Sequence, residues 1–332
     1  MDALWPVYHP ELPPLLRRLA ATAPMERLRQ VGMNCGCEYT SFSRFRHLPP
    51  YSRYDHSLGV GLIVWHFTGD AAQAAAGLLH DVATPVFAHT VDFLRGDHLR
   101  QEATEAPTAA VISGSGEIRA VLEQSGVDVD AVCDYHRYPI ADNDPPGLSA
   151  DRLEYTLGNL INYGLLSPHR AAALYGDLTV DTNEQGVPEL AFSTAEAAAE
   201  FAFSSLKTSR IYVADEDRFS MELLSRLLRL ALDRGVLTPE DLNGTEPRVI
   251  ARLESDPVCA PLWASFRACN RVRSEAVHPA RGRWLQVGAK LRCIDPLCRH
   301  LGRVSAWNSG FARELARFRA LPLNGWLGEF PF

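Results

Sequence analysis

The run Gly77-Leu78-Leu79-His80-Asp81 closes an Ala-rich, helix-favouring segment, and its adjacent His-Asp pair constrains this chain more than any other feature. A second run, Arg53-Tyr54-Asp55-His56-Ser57-Leu58-Gly59-Val60, lies upstream, and a third, Ser149-Ala150-Asp151-Arg152-Leu153-Glu154-Tyr155, lies downstream. In chain order they supply His56, His80, Asp81 and Asp151. Two imidazoles and two carboxylates suit one divalent ion of Mn, Fe, Co, Ni or Zn and leave positions for water and substrate; an all-oxygen set would suit Mg better. Neighbouring residues diverge by about 100° around a helix. His80 and Asp81 can therefore share an ion only at a helix end, and Thr84-Pro85 supplies that end. A fold that meets this demand brings several helices to one point.

The local signals agree with a mainly α fold. The periodicity predicts a helix around Met25 to Val31 and another from about Ser52 to Phe67, with Leu58, Leu62 and Trp65 at helical spacing. The next starts near Asp70, a suitable N-cap, and ends at His80-Asp81. Further helices are expected over roughly Pro85 to Leu94, 101–112 and 115–125, and from Ser149, with Asp151 in the first turn. Leu178-Thr179-Val180 and Glu189-Leu190-Ala191-Phe192 flank Asn183-Glu184-Gln185-Gly186 and read as a hairpin. Thr194 starts a helix, Met221 to Leu232 forms an apolar one, and residues 282–293 are expected to be a strand. The organisation expected is a helical core with its leading helix over 1–175, and a C-terminal helical region with a small β element over 176–332, packed on that core.

Composition excludes some classes of function. The chain has 332 residues, 46% of them hydrophobic, and a net charge of -7. The acidic balance argues against nucleic acid as a partner, since bulk binding shows as a basic surface. Leu58 to Phe67, the most apolar stretch, is too short to span a bilayer, so no membrane partner is expected. Seven cysteines make an odd count without paired CxxC spacing, which points to reduced, mostly buried thiols in a cytoplasmic protein.

The three runs together resemble the HD superfamily of metal-dependent phosphohydrolases, and within it the branch containing deoxynucleoside triphosphate triphosphohydrolases. That branch places Arg-Phe/Tyr-Glu/Asp-His-Ser-Leu-Gly-Val at its first ligand, matched by Arg53 to Val60. It then has Leu-Leu-His-Asp and a Pro-Phe-Ser-His turn, matched by Leu78 to Asp81 and Pro85-Val86-Phe87-Ala88-His89. Its Asp-Arg-hydrophobic-Asp-Tyr is similar to Asp151 to Tyr155, and Met25 to Gly32 resembles its leading helix. The resemblance implies an HD-type helical bundle, an oligomer, and a small phosphate ester or nucleotide as substrate. It implies one divalent metal (Mn, Fe, Ni, Co, Zn or Mg) on His56, His80, Asp81 and Asp151. It also implies Arg53 and Lys207 on substrate phosphate, Tyr155 and the position of Asn159 near the sugar, and His89 and Asp92 facing the same cavity.

The departures from that pattern are specific. The branch follows His-Asp with Gly-His, where this chain has Ala83-Thr84, so a histidine proposed to assist catalysis is missing. A later His-Glu pair is replaced by Arg100-Gln101-Glu102, with His98 close enough to substitute as a catalytic group. After the Tyr, relatives carry Arg-Asp, where this chain has Gly158-Asn159. His98 and His136 fall where two-metal phosphodiesterases or di-iron oxygenases place extra ligands, which defines one alternative function. Thr84 and the lost His-Glu pair define another, a non-catalytic metal- or nucleotide-binding module.

Overall fold

A computed structural model of the chain describes residues 5–95, 105–282 and 284–329, save the side chains of Asp92, Arg95, Glu105, Ala106 and Glu329. The chain is mainly α. Helices α1 (Trp5–Tyr8), α2 (Pro14–Ala20) and α3 (Ala23–Arg27) lead into a long pair, α4 (Arg53–Thr68) and α5 (Ala71–Leu79). They are followed by α6 (Thr90–Arg95), α7 (Glu105–Gly114), α8 (Gly116–Gln124), α9 (Ala150–Asn162) and α10 (Pro168–Gly176). The hairpin β1 (Leu178–Thr182) and β2 (Pro188–Phe192) precedes α11 (Ala195–Ile211), α12 (Asp215–Asp233), α13 (Glu246–Ser255) and α14 (Cys259–Ala268). The rest comprises β3 (Val272–Glu275), β4 (Leu285–Gln286), β5 (Leu297–Cys298), β6 (Gly302–Arg303), α15 (Val304–Trp307), α16 (Ser309–Arg319) and β7 (Trp326–Glu329).

Two small sheets flank the helices, ordered β1-β2-β5-β6 and β3-β7-β4. The hairpin expected from sequence forms with Leu178 opposite Phe192, and β5 adds to β2 in parallel. The main apolar cluster takes Leu19 and Met25 from the leading helices, Leu58, Ile63 and Leu78 from α4 and α5, and Leu157 from α9. Phe201 and Phe318 join it from beyond residue 176. None of the described helices is long and apolar enough to cross a membrane. None of the seven cysteines forms a disulfide, and four of them are buried.

Caps explain why the long helices start where they do. Ser52 and Asp55 form a capping box on α4, each side chain bonded to the other's backbone N–H. Arg53 N–H donates to Val31 carbonyl at 2.8 Å, and Gly32 pairs with Ser52. The first turn of α4 is thereby pinned to the leading segment. Asp70 accepts from Ala72 and Gln73 at the start of α5, and Ser149 from Arg152 at the start of α9.

Three expectations need correction. No helix starts at Pro85; Phe87 and Ala88 have positive φ, and α6 begins only at Thr90. Strand 282–293 shrinks to Leu285–Gln286. Helix α12 starts at Asp215, six residues before Met221, on three acidic residues that favour a helix N-terminus.

Candidate metal centre

The three sequence runs meet in space. His56 lies in the first full turn of α4, His80 caps the C-terminus of α5, Asp81 follows it, and Asp151 opens α9. The Nε2 atoms of His56 and His80 stand 3.2 Å apart. Asp151 Oδ1 is 3.1 Å from the first and 3.7 Å from the second. Asp81 Oδ2 is 3.9 and 3.7 Å from them. Donor atoms of His56, His80 and Asp151 all lie within 4.8 Å of one another, the one such group among the described residues. Ligands about 2.1 Å from one ion stand roughly 3–3.4 Å apart in octahedral or tetrahedral sites, so this spacing fits a shared cation.

The opposite nitrogens strengthen that fit. His56 Nδ1 is 2.6 Å from Glu154 Oε2, and His80 Nδ1 is 2.7 Å from the Gly77 carbonyl. An Nδ1–H donated to each acceptor leaves the two Nε2 lone pairs facing one another. Two lone pairs at that separation need a proton or a cation between them, and metal-bound histidines are oriented in this way. His56 is 1% and His80 9% exposed, so water does little to relieve them.

Glu154 is 2% exposed and anchors the arrangement. It accepts from Tyr51 Oη at 2.5 Å and from Tyr8 Oη at 3.5 Å, besides its bond to His56. Two glycines make room for it. A Cβ on Gly59 would lie 2.6 Å from Glu154 Cγ, and one on Gly158 would lie 2.2 Å from Tyr51 Oη. Gly158, a departure in the sequence, is therefore required by the Tyr51–Glu154–His56 relay.

Asp81 is held from both sides. Thr84 Oγ1 donates to Oδ1 at 2.7 Å and Arg53 Nη1 to Oδ2 at 2.8 Å. Burial alone would raise the Asp81 pKa, but Arg53, the two imidazoles and Thr84 hold the carboxyl well below its usual range. Burial raises Asp151 likewise, and its bond to His56 together with the imidazole charges overcomes that. For His56 burial favours the neutral ring, whereas Asp151 and Glu154 lift its pKa to about 10. Arg27 fixes the turn after the His-Asp pair by donating to the carbonyls of Val82 and Thr84.

The other expected site residues fall in different places. Arg53 is 8% exposed, with one guanidinium nitrogen on Asp81 and a buried Nε that has no partner among the described residues. Tyr155 and Asn159 follow Asp151 on the same face of α9. The Tyr155 ring meets Tyr212 edge-on at 6.4 Å, and Asn159 Nδ2 donates to Tyr212 Oη at 2.8 Å. Burial raises the Tyr155 phenol, against the lowering charges of Arg292 and Arg152. His89 is half-buried after the Phe87-Ala88 turn. Lys207 is exposed on α11, where its charge acts on Glu200, and is not brought to the donor cluster. His136 Nδ1 sits 2.7 Å from Asp142, outside the donor cluster. His98 and the side chain of Asp92 lie outside the described residues. Glu154 and Arg27 lie within the sequence runs, but nothing local in the sequence marks their roles.

No protein-family model matches the chain. It is 28% identical over 239 residues to an uncharacterized protein, YdhJ, of Bacillus subtilis, covering 71% of this chain and 70% of that one. It is 22% identical over 297 residues to the metal-dependent phosphohydrolase cns2 of Cordyceps militaris, covering 85% and 80%. Among solved structures, a hypothetical protein from Aquifex aeolicus superposes with a TM-score of 0.65 at 17% identity, over 95% of this chain and 91% of that one. A phosphohydrolase from Bacteroides thetaiotaomicron does so with a TM-score of 0.64 at 14% identity, over 96% of each. The mainly α architecture is thus shared with a solved phosphohydrolase, and one of the relatives similar in sequence is named a metal-dependent phosphohydrolase.

Proposed function

We propose that this chain is a metal-dependent phosphohydrolase acting on a nucleotide or related phosphate ester. The observation that carries the proposal is the facing pair of Nε2 atoms from His56 and His80, flanked by Asp81 and Asp151 and locked from behind by Glu154 and Gly77. A divalent cation held by His56, His80, Asp81 and Asp151 would supply Lewis acidity and lower the pKa of a water molecule. The chain's own residues do the rest. Arg53 holds Asp81 and brings a planar, permanent positive charge beside the centre, suited to a phosphoryl group. Tyr155 and Asn159 extend from Asp151 along α9 toward the rest of the substrate. His89, Asp92 and His98 stand as further candidates for handling protons.

The proposal includes a limited reading of the sugar. Asn159 stands where relatives carry the Asp that contacts the sugar, and one of its amide N–H groups is given to Tyr212. A site that pairs no buried group with a sugar hydroxyl has little basis for sensing its presence. Hydrolysis is expected without strong preference for deoxy- over ribonucleotides, and of monophosphates rather than triphosphates. The test is phosphate release from a panel of paired ribo- and deoxyribonucleotides with Mn²⁺. Absence of release from every ester would refute the hydrolase. A sugar preference above roughly a hundredfold, equivalent to about 2.7 kcal/mol, would refute only the reading of the sugar.

A further inference from the structure

Tyr135 lies beside the centre, and neither the sequence motifs nor the donor set uses it. Its ring packs against the His80 imidazole, with centroids 5.0 Å apart and planes tilted by 40°. Its hydroxyl stands in the field of the Asp151, Asp142 and Asp81 carboxylates. Yet that hydroxyl makes no hydrogen bond to any described residue. The nearby hydroxyls of Thr84 and Tyr51 are each spent on a carboxylate.

The backbone fixes this placement. Asp134 accepts from His136 N–H, and Tyr138 N–H closes the turn onto the Tyr135 carbonyl at 3.1 Å. The carbonyls of Ile140 and Ala141 accept the N–H groups of Ala150 and Asp151 at 2.8 and 3.2 Å. Asp142 is tied in turn to His136 and Arg152. The segment carrying Tyr135 is thus stitched to the first turn of α9, which carries Asp151. A phenol is neutral and keeps its proton at ordinary pH. Here it is a donor held rigidly at the edge of a cluster that otherwise presents acceptors.

We propose that Tyr135 is a substrate-binding residue whose Oη–H donates to a phosphoryl oxygen of an ester seated against His56, His80, Asp81 and Asp151. The inference rests on the hydrolase reading above. It adds a neutral donor to the charged one of Arg53, in a site where Thr84 stands in place of the histidine of the resembled branch. A donor aimed at the phosphoryl group helps the ground state and helps more where charge develops.

The test is Tyr135→Phe, which keeps the ring on His80 and removes one oxygen. Inorganic phosphate affinity, measured by calorimetry on the Mn²⁺-loaded protein, should fall about tenfold, as expected for one lost hydrogen bond to a charged group. Hydrolysis of a nucleoside monophosphate should fall at least as much, while Mn²⁺ affinity stays within about twofold of wild type. Unchanged phosphate affinity would overturn the proposal. So would parallel loss of Mn²⁺ affinity, because Tyr135 would then only support His80. If the wild type itself neither binds phosphate nor hydrolyses any ester with Mn²⁺, the hydrolase reading falls and takes this inference with it.

Discussion

Gly158→Ala should damage the metal centre without touching it. The new Cβ would lie 2.2 Å from Tyr51 Oη, 2.6 Å from Cζ and 2.9 Å from Cε1. Tyr51 is 4% exposed and has no room to swing aside, so its ring must shift off Glu154. Overpacking of this kind costs about 1–3 kcal/mol. Losing a hydrogen bond to a buried carboxylate adds about 1.5–3 kcal/mol. Alanine's better helix propensity returns roughly 1 kcal/mol. The net expectation is a loss of about 1.5–5 kcal/mol. Unfolding entropy near 2.1 cal/mol/K per residue over a chain of this length makes that a fall in Tm of roughly 2–7 °C. The assay is thermal unfolding of Gly158→Ala, Tyr51→Leu and the double variant, with metal affinity measured on each. In the Tyr51→Leu background the ring is gone, so Gly158→Ala should cost less than half as much. Equal costs in both backgrounds, or a Gly158→Ala protein as stable as wild type, would refute the clash.

Glu154→Gln keeps the shape beside His56 but removes the charge that orients its ring. Metal affinity should drop roughly 10- to 100-fold, the usual range for a partner behind a ligating histidine; competition against a chelator measures it, and wild-type affinity would contradict the role. The pH dependence follows from His56. Its pKa in the metal-free protein is lifted to about 10, so at pH 7.5 a cation must displace a proton. Uptake should release about one proton, and apparent affinity should rise about tenfold per pH unit up to about pH 10. Calorimetry in buffers of different ionisation enthalpy reads this, and uptake without proton release would refute it. The same raised pKa gives the metal-free fold a stabilising contribution that is complete below about pH 6.5 and lost as pH rises toward 10.

What was legible in the sequence was what local chemistry decides. Ser52, Asp70 and Ser149 cap their helices with side chains a few residues from the N–H groups they serve, so α4, α5 and α9 could be placed to within a residue or two. Those helices carry the His56, His80, Asp81 and Asp151 runs, and their order was enough to suggest one centre. The turn at Phe87 was not legible, because Glu246, far along the chain, accepts the Phe87 N–H at 3.2 Å. The early start of α12 was hidden by its acidic first turn, which lacks the apolar periodicity found from Met221 onward. Glu154 sat in a quoted motif, three residues after Asp151, yet its partnership with His56 depends on α4 meeting α9. Gly59 and Gly158 are the trace of that contact, and singly they look like ordinary helix glycines. Tyr135 left no trace, since its neighbour His80 lies far from it in sequence.

His56, His80, Asp81 and Asp151 are proposed to hold one divalent metal ion. Elemental analysis of the wild type and of Asp81→Ala, after loading with Mn²⁺ and removal of the excess, tests it most directly. Circular dichroism on the same samples reports whether the helices persist. About one ion per chain is expected in the wild type and near none in Asp81→Ala, with helical content unchanged. Full occupancy in Asp81→Ala, or no retained metal in a folded wild type, would contradict it.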